Sequence, residues 1–530
     1  YNSNRLVLTD SKSGSKILWG RVKEVTGKGR QGKQLDVDPV QLNAHYAAVS
    51  FDTNYQPPSV KLTCCQQQDW PSEESVFWKL DKLKLTGTGL DGIPAWFLRV
   101  AAPMLAEPVS WLYRQSLCNS IVPNQWKSSC ITPIPKISQP VTFQDFRPIS
   151  ITPILSRVLE RFVVCNALYP LLETHDVHSI LSDQYAFRPS GSTTAALIHL
   201  LQDISNLTQD CPYVHVFALD FSKAFDTVRH HTLMAKYDSL HIDDNIYNWP
   251  IDYLSARNHR TKVNDITSPA LPINASIIQG SSIGPVSYIV NASDLKAVVS
   301  GNKLHKYADD TYLVVPSFNT SSIPSELEHI VSWSASNNLQ LNYSKCLEMI
   351  VTRPRVRKIN AEIPPLTTKI RRVDSLKILG VTIRCNLSIS DHVDNLIASA
   401  GQTLYALKTL KSHGMSLAAL TDVCRATLVS KLTYAASAWY GFASEADISR
   451  LQSVLKKASR WGVWGDSSLQ LLNLYEDADS SLFNSILNNS SHVLHPLLPP
   501  KKKSGYHLRE RPHDRILSQK TCWARQNFFD

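Results

Sequence analysis

The sequence predicts an α+β fold in which a small antiparallel sheet carries carboxylates and helices fill much of the rest. Two stretches carry that prediction. The first is Lys303-Leu304-His305-Lys306-Tyr307-Ala308-Asp309-Asp310-Thr311-Tyr312-Leu313-Val314-Val315, two apolar or aromatic arms around an adjacent aspartate pair. Each arm suits a strand, and Ala-Asp-Asp suits a tight connection, so both carboxylates sit at a hairpin tip. The second is the apolar run Tyr213–Leu219, which reads as a buried strand ending at Asp220. Side-by-side like charges repel, so the arrangement calls for a cation. Oxygen-only ligands favour a hard ion such as Mg²⁺. A strand-end carboxylate facing a hairpin-tip pair is the geometry of a two-metal phosphoryl-transfer site.

The 530 residues exceed one ordinary domain and allow a large core. A hydrophobic content of 43% is that of a globular chain. Fifty-five basic against 45 acidic residues give a net charge of +10, which favours a polyanionic partner. The ten cysteines are scattered, and only Cys64 and Cys65 are neighbours. They are expected to be reduced in an intracellular protein. No apolar run reaches the ~20 residues of a membrane span. The first residue is Tyr1, which fits a fragment of a longer product.

Taken in order, residues 1–75 are weakly periodic. Lys12 to Lys33 reads as an exposed segment and Leu18–Val22 as a short helix. Gly87, Gly89 and Gly92 form a formal GxGxxG, but the segment before them has helical rather than strand spacing, against a dinucleotide site. Helices are expected over Ala95–Leu105 and Trp111–Leu117, and an edge strand, limited by prolines, over Ser129–Lys136. A helix over Pro153–Leu172 carries an apolar stripe, and another runs from Thr193 to Leu207. A helix is expected to open at Ser222, with others over His230–Leu240, Asp243–Leu254, Pro285–Val299 and Ser325–Asn338. Strands are expected at Arg257–Val263 and Cys346–Thr352. Helices over Asp391–Leu410, Leu417–Ala438 and Ala446–Trp461 precede a basic tail around Lys501–Lys503 and His507–Pro512.

Five motifs in order resemble one family. Tyr307-Ala308-Asp309-Asp310 resembles the YxDD box of reverse transcriptases, and Ala218–Asp226 their metal-binding strand. Phe146–Ser150 and Asp183–Thr193 resemble their fingers motifs, and Gln279–Pro285 the loop after the first catalytic strand. The set resembles the polymerases of non-LTR (LINE-type) retrotransposons of the jockey or chicken-repeat sort, from about Leu80 to the C-terminus.

The resemblance implies a right-hand polymerase with fingers, a palm bearing an antiparallel sheet, a helical thumb and a basic C-terminal region. The expected boundaries are an upstream region at 1–75, fingers at 76–212, palm at 213–384, thumb at 385–465 and the basic region at 466–530. The reverse transcriptase domain spans about 120–384. The implied reaction extends a DNA primer with dNTPs on an RNA template. Two Mg²⁺ ions (or Mn²⁺) are held by Asp220, Asp309, Asp310 and the Phe221 carbonyl, and Lys345 stands near the leaving pyrophosphate.

Arg188, Phe225, Gln279 and Gly280 are the implied nucleotide contacts, and Arg147, Tyr307, Lys408 and Lys411 the implied nucleic-acid contacts. From the residues alone, Arg188 reads rather as a surface residue at a turn and Phe225 as a core residue, while Asp226 caps or pairs locally. An endonuclease precedes this region in the family, and the nucleus is the implied location. The alternative is a copy that binds nucleic acid without polymerising. It draws on Ala186 and Ile278, where the family has Gly and Pro, on Pro250 inside a helix, and on Val290–Ser293 in place of an apolar run.

Overall fold

The computed structural model describes residues 37–62, 69–352, 365, 369–465, 470–500 and 528–529. The segments Lys12–Lys33, Leu18–Val22, Cys64-Cys65 and the tail Lys501–Pro512 lie outside the described residues.

The N-terminal part holds helices α1 (Pro39–Val49), α2 (Glu73–Asp81), α3 (Ala95–Val100) and α4 (Ala102–Cys118). Asp38 caps α1 and Pro39 occupies its first position, where the missing N–H costs nothing. Among the described residues no strand precedes the glycine turn at 87–92, which joins α2 to α3. Strands β1 (Ser128–Pro135) and β2 (Phe146–Ile151) follow, then α5 (Ile154–Val163) and α6 (Thr193–Asp210). Next come β3 (Tyr213–Leu219), β4 (Phe221–Ser222), α7 (His230–Asp238), α8 (Asp244–Leu254), β5 (Arg257–Val263), β6 (Ile266–Thr267) and β7 (Leu271–Ile273). The order continues α9 (Gly284–Asn291), β8 (Lys303–Tyr307), β9 (Asp310–Pro316), α10 (Ile323–Ser336), β10 (Gln340–Leu341), β11 (Leu347–Thr352) and β12 (Arg371–Arg372). A hairpin of β13 (Ser375–Ile378) and β14 (Val381–Arg384) precedes α11 (Ser390–Ser412), α12 (Leu417–Cys424), α13 (Glu445–Arg460) and α14 (Leu471–Asn488).

The central sheet has the order β12-β11-β3-β9-β8, antiparallel except for the β11–β12 pair. Successive side chains of a strand point to opposite faces. Phe217 and Leu219 of β3 therefore join Leu313 and Val315 of β9 in the core on one face. Val214 and Val216 join Tyr312, Val314, Met349 and Val351 on the other. The first face is covered by α9 and the helices around α5, the second by α6 and α11. This double covering explains why β3 is apolar without alternation. Val393, Leu396, Ala400, Leu404 and Leu407 give α11 the single stripe it buries there.

A second sheet has the order β2-β1-β5-β6, with β7 also on β5. The expected edge strand β1 is thus internal, antiparallel to β2 and parallel to β5. Its prolines still act as expected: only Ser128–Ile131 pair with β5, and the pairing stops before Pro133.

Other expectations are corrected. No helix opens at Ser222; β4 leads into a turn with Lys223 in the left-handed region. Ala95–Leu105 is broken at Ala101 into two helices, and α9 ends at Asn291 rather than Val299. Pro250 sits inside α8 without ending it. The helix expected over Leu417–Ala438 stops at Thr433, with Ala435 at a φ of 51°. There Tyr434 leaves the helix to donate to the Leu379 carbonyl (3.0 Å), and the buried Trp439 donates Nε1 to the Tyr434 carbonyl (2.9 Å). The break therefore fixes the C-terminal helices to the β13–β14 turn. Cys118 is disulfide-bonded, against the expectation of reduced cysteines, while Cys130, Cys165, Cys211, Cys346, Cys385 and Cys424 are free. Among the described residues, no helix is long and apolar enough to cross a membrane.

Candidate active site

Register alone brings the carboxylates together. Leu219 pairs with Thr311, so Asp220 leaves β3 beside Asp310, and Tyr307 pairs with Asp310 across the two-residue turn Ala308-Asp309. Ala308 takes a φ of 57°, the left-handed residue such a hairpin needs. The end of β3 is pinned on three sides. The Asp220 N–H lies 3.4 Å from the Cys346 Sγ, its carbonyl accepts from the Asn342 N–H (2.8 Å), and Phe221 pairs with Leu341. The Phe221 ring packs on Trp333, holding the backbone in place.

Asp220, Phe221, Phe225, Gln279, Asp309, Lys345 and Arg147 all line one cleft of about 720 Å³. Burial raises the Asp309 carboxyl and the Asp220 charge adds to it, opposed by Arg147 and Lys345. Asp310 is raised to about 6 by burial and by the charges of Asp309 and Asp220. Asp220 Oδ2 is buried without a hydrogen bond, and its nearest cation is the Lys345 Nζ at 3.5 Å. Clustered carboxylates, two of them raised by burial and neighbouring charge, that leave an oxygen unpartnered fit a divalent cation. Among the described residues no three His, Cys, Asp or Glu side chains close into a metal-holding group. Mg²⁺ is commonly held by only one or two carboxylates together with water and substrate phosphates.

The opposite wall is built from Phe225, Asp226 and Gln279. Phe225 stacks on Tyr288 at 4.3 Å, so its ring is held flat at the cleft edge. Gln279 Nε2 donates to Asp226 Oδ1 at 2.7 Å. Asp226, expected to cap or pair locally, instead orients Gln279 across 53 residues of sequence. Burial raises its carboxyl to about 6, against Gln279, Lys223 and Lys136. Behind this loop lies Glu160, fully buried on α5. Its carboxylate accepts from the Ser282 N–H (2.6 Å), the Ile283 N–H (3.3 Å) and the Ser156 hydroxyl (3.0 Å). Nothing in the local sequence marks Glu160 as a support of this loop, because its two backbone partners there are 122 and 123 residues away.

Other predicted residues are placed elsewhere. Arg188 does not line the cleft. It is buried, and its guanidinium donates to the carbonyls of Leu181 (2.6 Å) and Gln184 (3.3 Å). Its segment buttresses the carboxylate hairpin instead. Gln184 Oε1 accepts from the Ala308 N–H (3.1 Å), and Tyr185 and Asp183 exchange backbone bonds with Lys306. Gly280, at a φ of 113°, presses on the Ser150 backbone, where an added Cβ would stand 2.3 Å from the carbonyl oxygen. Its freedom serves the join to β2. Tyr307 is partly buried at the end of β8, near Tyr434 and Asp310. Lys408 lies over the Trp461 ring at 5.3 Å, and the Lys411 Nζ donates to the Trp461 carbonyl at 2.8 Å. Three residues of α1 that were not anticipated, His45, Tyr46 and Val49, also line the cleft. The Asp38-Pro39 start was a legible helix signal, but nothing in it points to the cleft.

Residues 134–383 match the family model of reverse transcriptase (RNA-dependent DNA polymerase). The RNA-directed DNA polymerase from mobile element jockey of Drosophila melanogaster is 26% identical over 383 residues, 68% of this chain and 40% of that protein. A probable RNA-directed DNA polymerase from transposon BS of the same organism is 26% identical over 380 residues, 68% of this chain and 41% of that protein. The chain therefore spans about two fifths of the length of these relatives. A solved telomerase from Candida albicans shows 13% identity and a TM-score of 0.37, over 76% of this chain and 68% of that one.

Proposed function

We propose that this chain, whose residues 134–383 match the reverse transcriptase family model and which resembles non-LTR retrotransposon polymerases, extends a DNA primer on an RNA template. The observation that carries this reading is the junction of β3 with the β8–β9 turn, where Asp220 and Asp309 share one cleft with Phe225 and Gln279. In this reading residues 76–212 act as fingers, 213–384 as palm and 385–465 as thumb.

Asp220, Asp309 and the Phe221 carbonyl would hold the divalent cations, Mg²⁺ by the chemistry of an all-oxygen donor set, with Asp310 in support. When bound, these ions neutralise charge on the triphosphate and lower the pKa of the primer hydroxyl. The primer 3′ oxygen forms the new bond to the α-phosphorus as the bond to pyrophosphate breaks, and the hydroxyl proton is lost. Reactions of this kind ask the protein mainly for positioning and charge. Phe225, braced by Tyr288, presents a flat face that excludes a ribose 2′-hydroxyl. Gln279, held by Asp226, steadies the paired nucleotide. Lys345, beside Asp220, offers a proton to the departing pyrophosphate. Arg147, exposed on β2, faces the template or triphosphate.

The test is extension of oligo(dT) on poly(rA) with Mg²⁺ and dTTP, beside the same primer on poly(dA). A product ladder favouring the RNA template is expected. Folded protein that binds the primer–template and adds no nucleotide would contradict the reading and leave the non-polymerising alternative.

A further inference from the structure

The cleft has a wall that lies upstream of the matched domain. Helix α1 packs its Leu42 and Tyr46 against Ile131, Phe146 and Val263 of the second sheet, a small core of their own. A polar clamp fixes the same helix. The Asn43 side-chain oxygen accepts from His259 Nδ1 and from the Thr261 hydroxyl, both at 2.8 Å, and its Nδ2 donates to the Pro269 carbonyl at 3.0 Å. Farther along, the Asp52 carboxylate makes a two-pronged ion pair with Arg229, at 2.7 and 3.2 Å. The segment is thus joined to the domain by buried contacts.

Tyr46 stands out within this arrangement. The residue is 5% exposed, it lines the cleft, and its hydroxyl has no hydrogen-bond partner among the described residues. A buried hydroxyl without an acceptor is uncommon and is destabilising by itself. Burial and the neighbouring Asp226 charge raise its ionisation well above the ordinary phenol range, so it remains a donor at neutral pH. The same cleft carries Lys136, Lys223 and Arg147. Lys223 and Lys136 act on the adjacent His45, so a fixed donor in this cleft, although near the Asp226 carboxylate, suits an anionic acceptor held by those cations.

We propose that the Tyr46 hydroxyl donates to a phosphate oxygen of the incoming nucleoside triphosphate, which makes α1 part of the nucleotide site. The proposal deepens the polymerase reading and rests on it. Lys136 and Lys223 supply charge, while Tyr46, locked by its ring packing, supplies direction.

Tyr46→Phe keeps the ring and removes only the donor. In extension of oligo(dT) on poly(rA), the dTTP KM should rise about tenfold. The kcat and the affinity for primer–template should stay at wild-type values, and the Tm, freed of an unpartnered buried hydroxyl, should be unchanged or higher. An unchanged KM overturns the proposal, and so does a fall in Tm accompanied by parallel changes in kcat and primer–template affinity. If the wild type does not extend, the polymerase reading fails separately. Calorimetric binding of Mg·dTTP to the protein–primer–template complex then decides: affinity about tenfold weaker in Tyr46→Phe supports the donor role. Equal affinity, or no binding by either protein, overturns it.

Discussion

The floor of the cleft and its rim are built by different means. The floor is one antiparallel sheet, and adjacent ladder positions set Asp220, Asp309 and Asp310 side by side. The rim is assembled from pieces far apart in sequence: Tyr46 on α1, Arg147 on β2, Phe225 and Asp226 after β4, and Gln279 in the loop before α9. The floor carries mutually repelling charge that a bound cation would relieve. The rim carries single-purpose contacts, each held by a partner behind it: Tyr288 behind Phe225, Asp226 behind Gln279, Glu160 behind the loop. Changes in the floor should therefore abolish chemistry while sparing the fold. Changes behind the rim should cost stability and nucleotide affinity together.

The largest effect belongs to Asp220→Asn. We predict loss of primer extension by a thousandfold or more, together with an unchanged or higher Tm in EDTA, since one of three repelling charges is gone. A clear fall in Tm would show that Asp220 is structural and would erase the contrast. Next is Glu160→Ala, which leaves the buried Ser282 and Ile283 N–H groups without an acceptor. A loss of about 2–4 kcal/mol in urea unfolding is expected, together with a higher dTTP KM. Glu160→Gln, which keeps an acceptor, should recover part of both.

Arg188→Ala sharpens the comparison from another side. Its guanidinium serves two carbonyls under the carboxylate hairpin, so about 1–3 kcal/mol of stability should be lost while the dTTP KM stays put. A raised KM at constant stability would restore the nucleotide role that its motif implies. The smallest effect is in pH dependence. Asp226, raised to about 6 in the folded protein from an ordinary value of 3.8, favours folding most when protonated. That contribution is complete below about pH 4 and fades as pH rises through about 6. Asp226→Asn should flatten the Tm–pH curve between those values. A curve that keeps its wild-type slope would locate the titration elsewhere.

The same contrast accounts for what could be read from the sequence. The floor was legible because its signals are local: an apolar run ending in Asp220 and a hairpin with a charged tip need only neighbouring residues. The α+β class and the helical C-terminal part followed from periodicity for the same reason. The rim depends on what lies behind each residue, which no local pattern records. Arg188 sits in a motif that implies phosphate contact, yet its side chain turns inward toward two carbonyls. Gly280 has the expected conformational freedom, but a different neighbour uses it. Pro133 and Pro135 pointed to an edge strand, whereas the residues before them pair on both sides. Helix α14 lay in a region read only as basic. It is anchored by the Tyr475 hydroxyl on the Leu432 carbonyl and by Tyr440 on Asp479, contacts 43 and 39 residues apart.

The central claim is that the β3 end and the β8–β9 turn form the polymerising centre. Its most direct test is single-turnover extension of oligo(dT) on poly(rA) with Mg²⁺ and dTTP, comparing wild type with Asp309→Asn at matched primer–template occupancy. The account predicts rapid addition by the wild type and no measurable addition by the variant, with equal primer–template affinity. Addition by Asp309→Asn at a rate within tenfold of wild type would place the chemistry elsewhere.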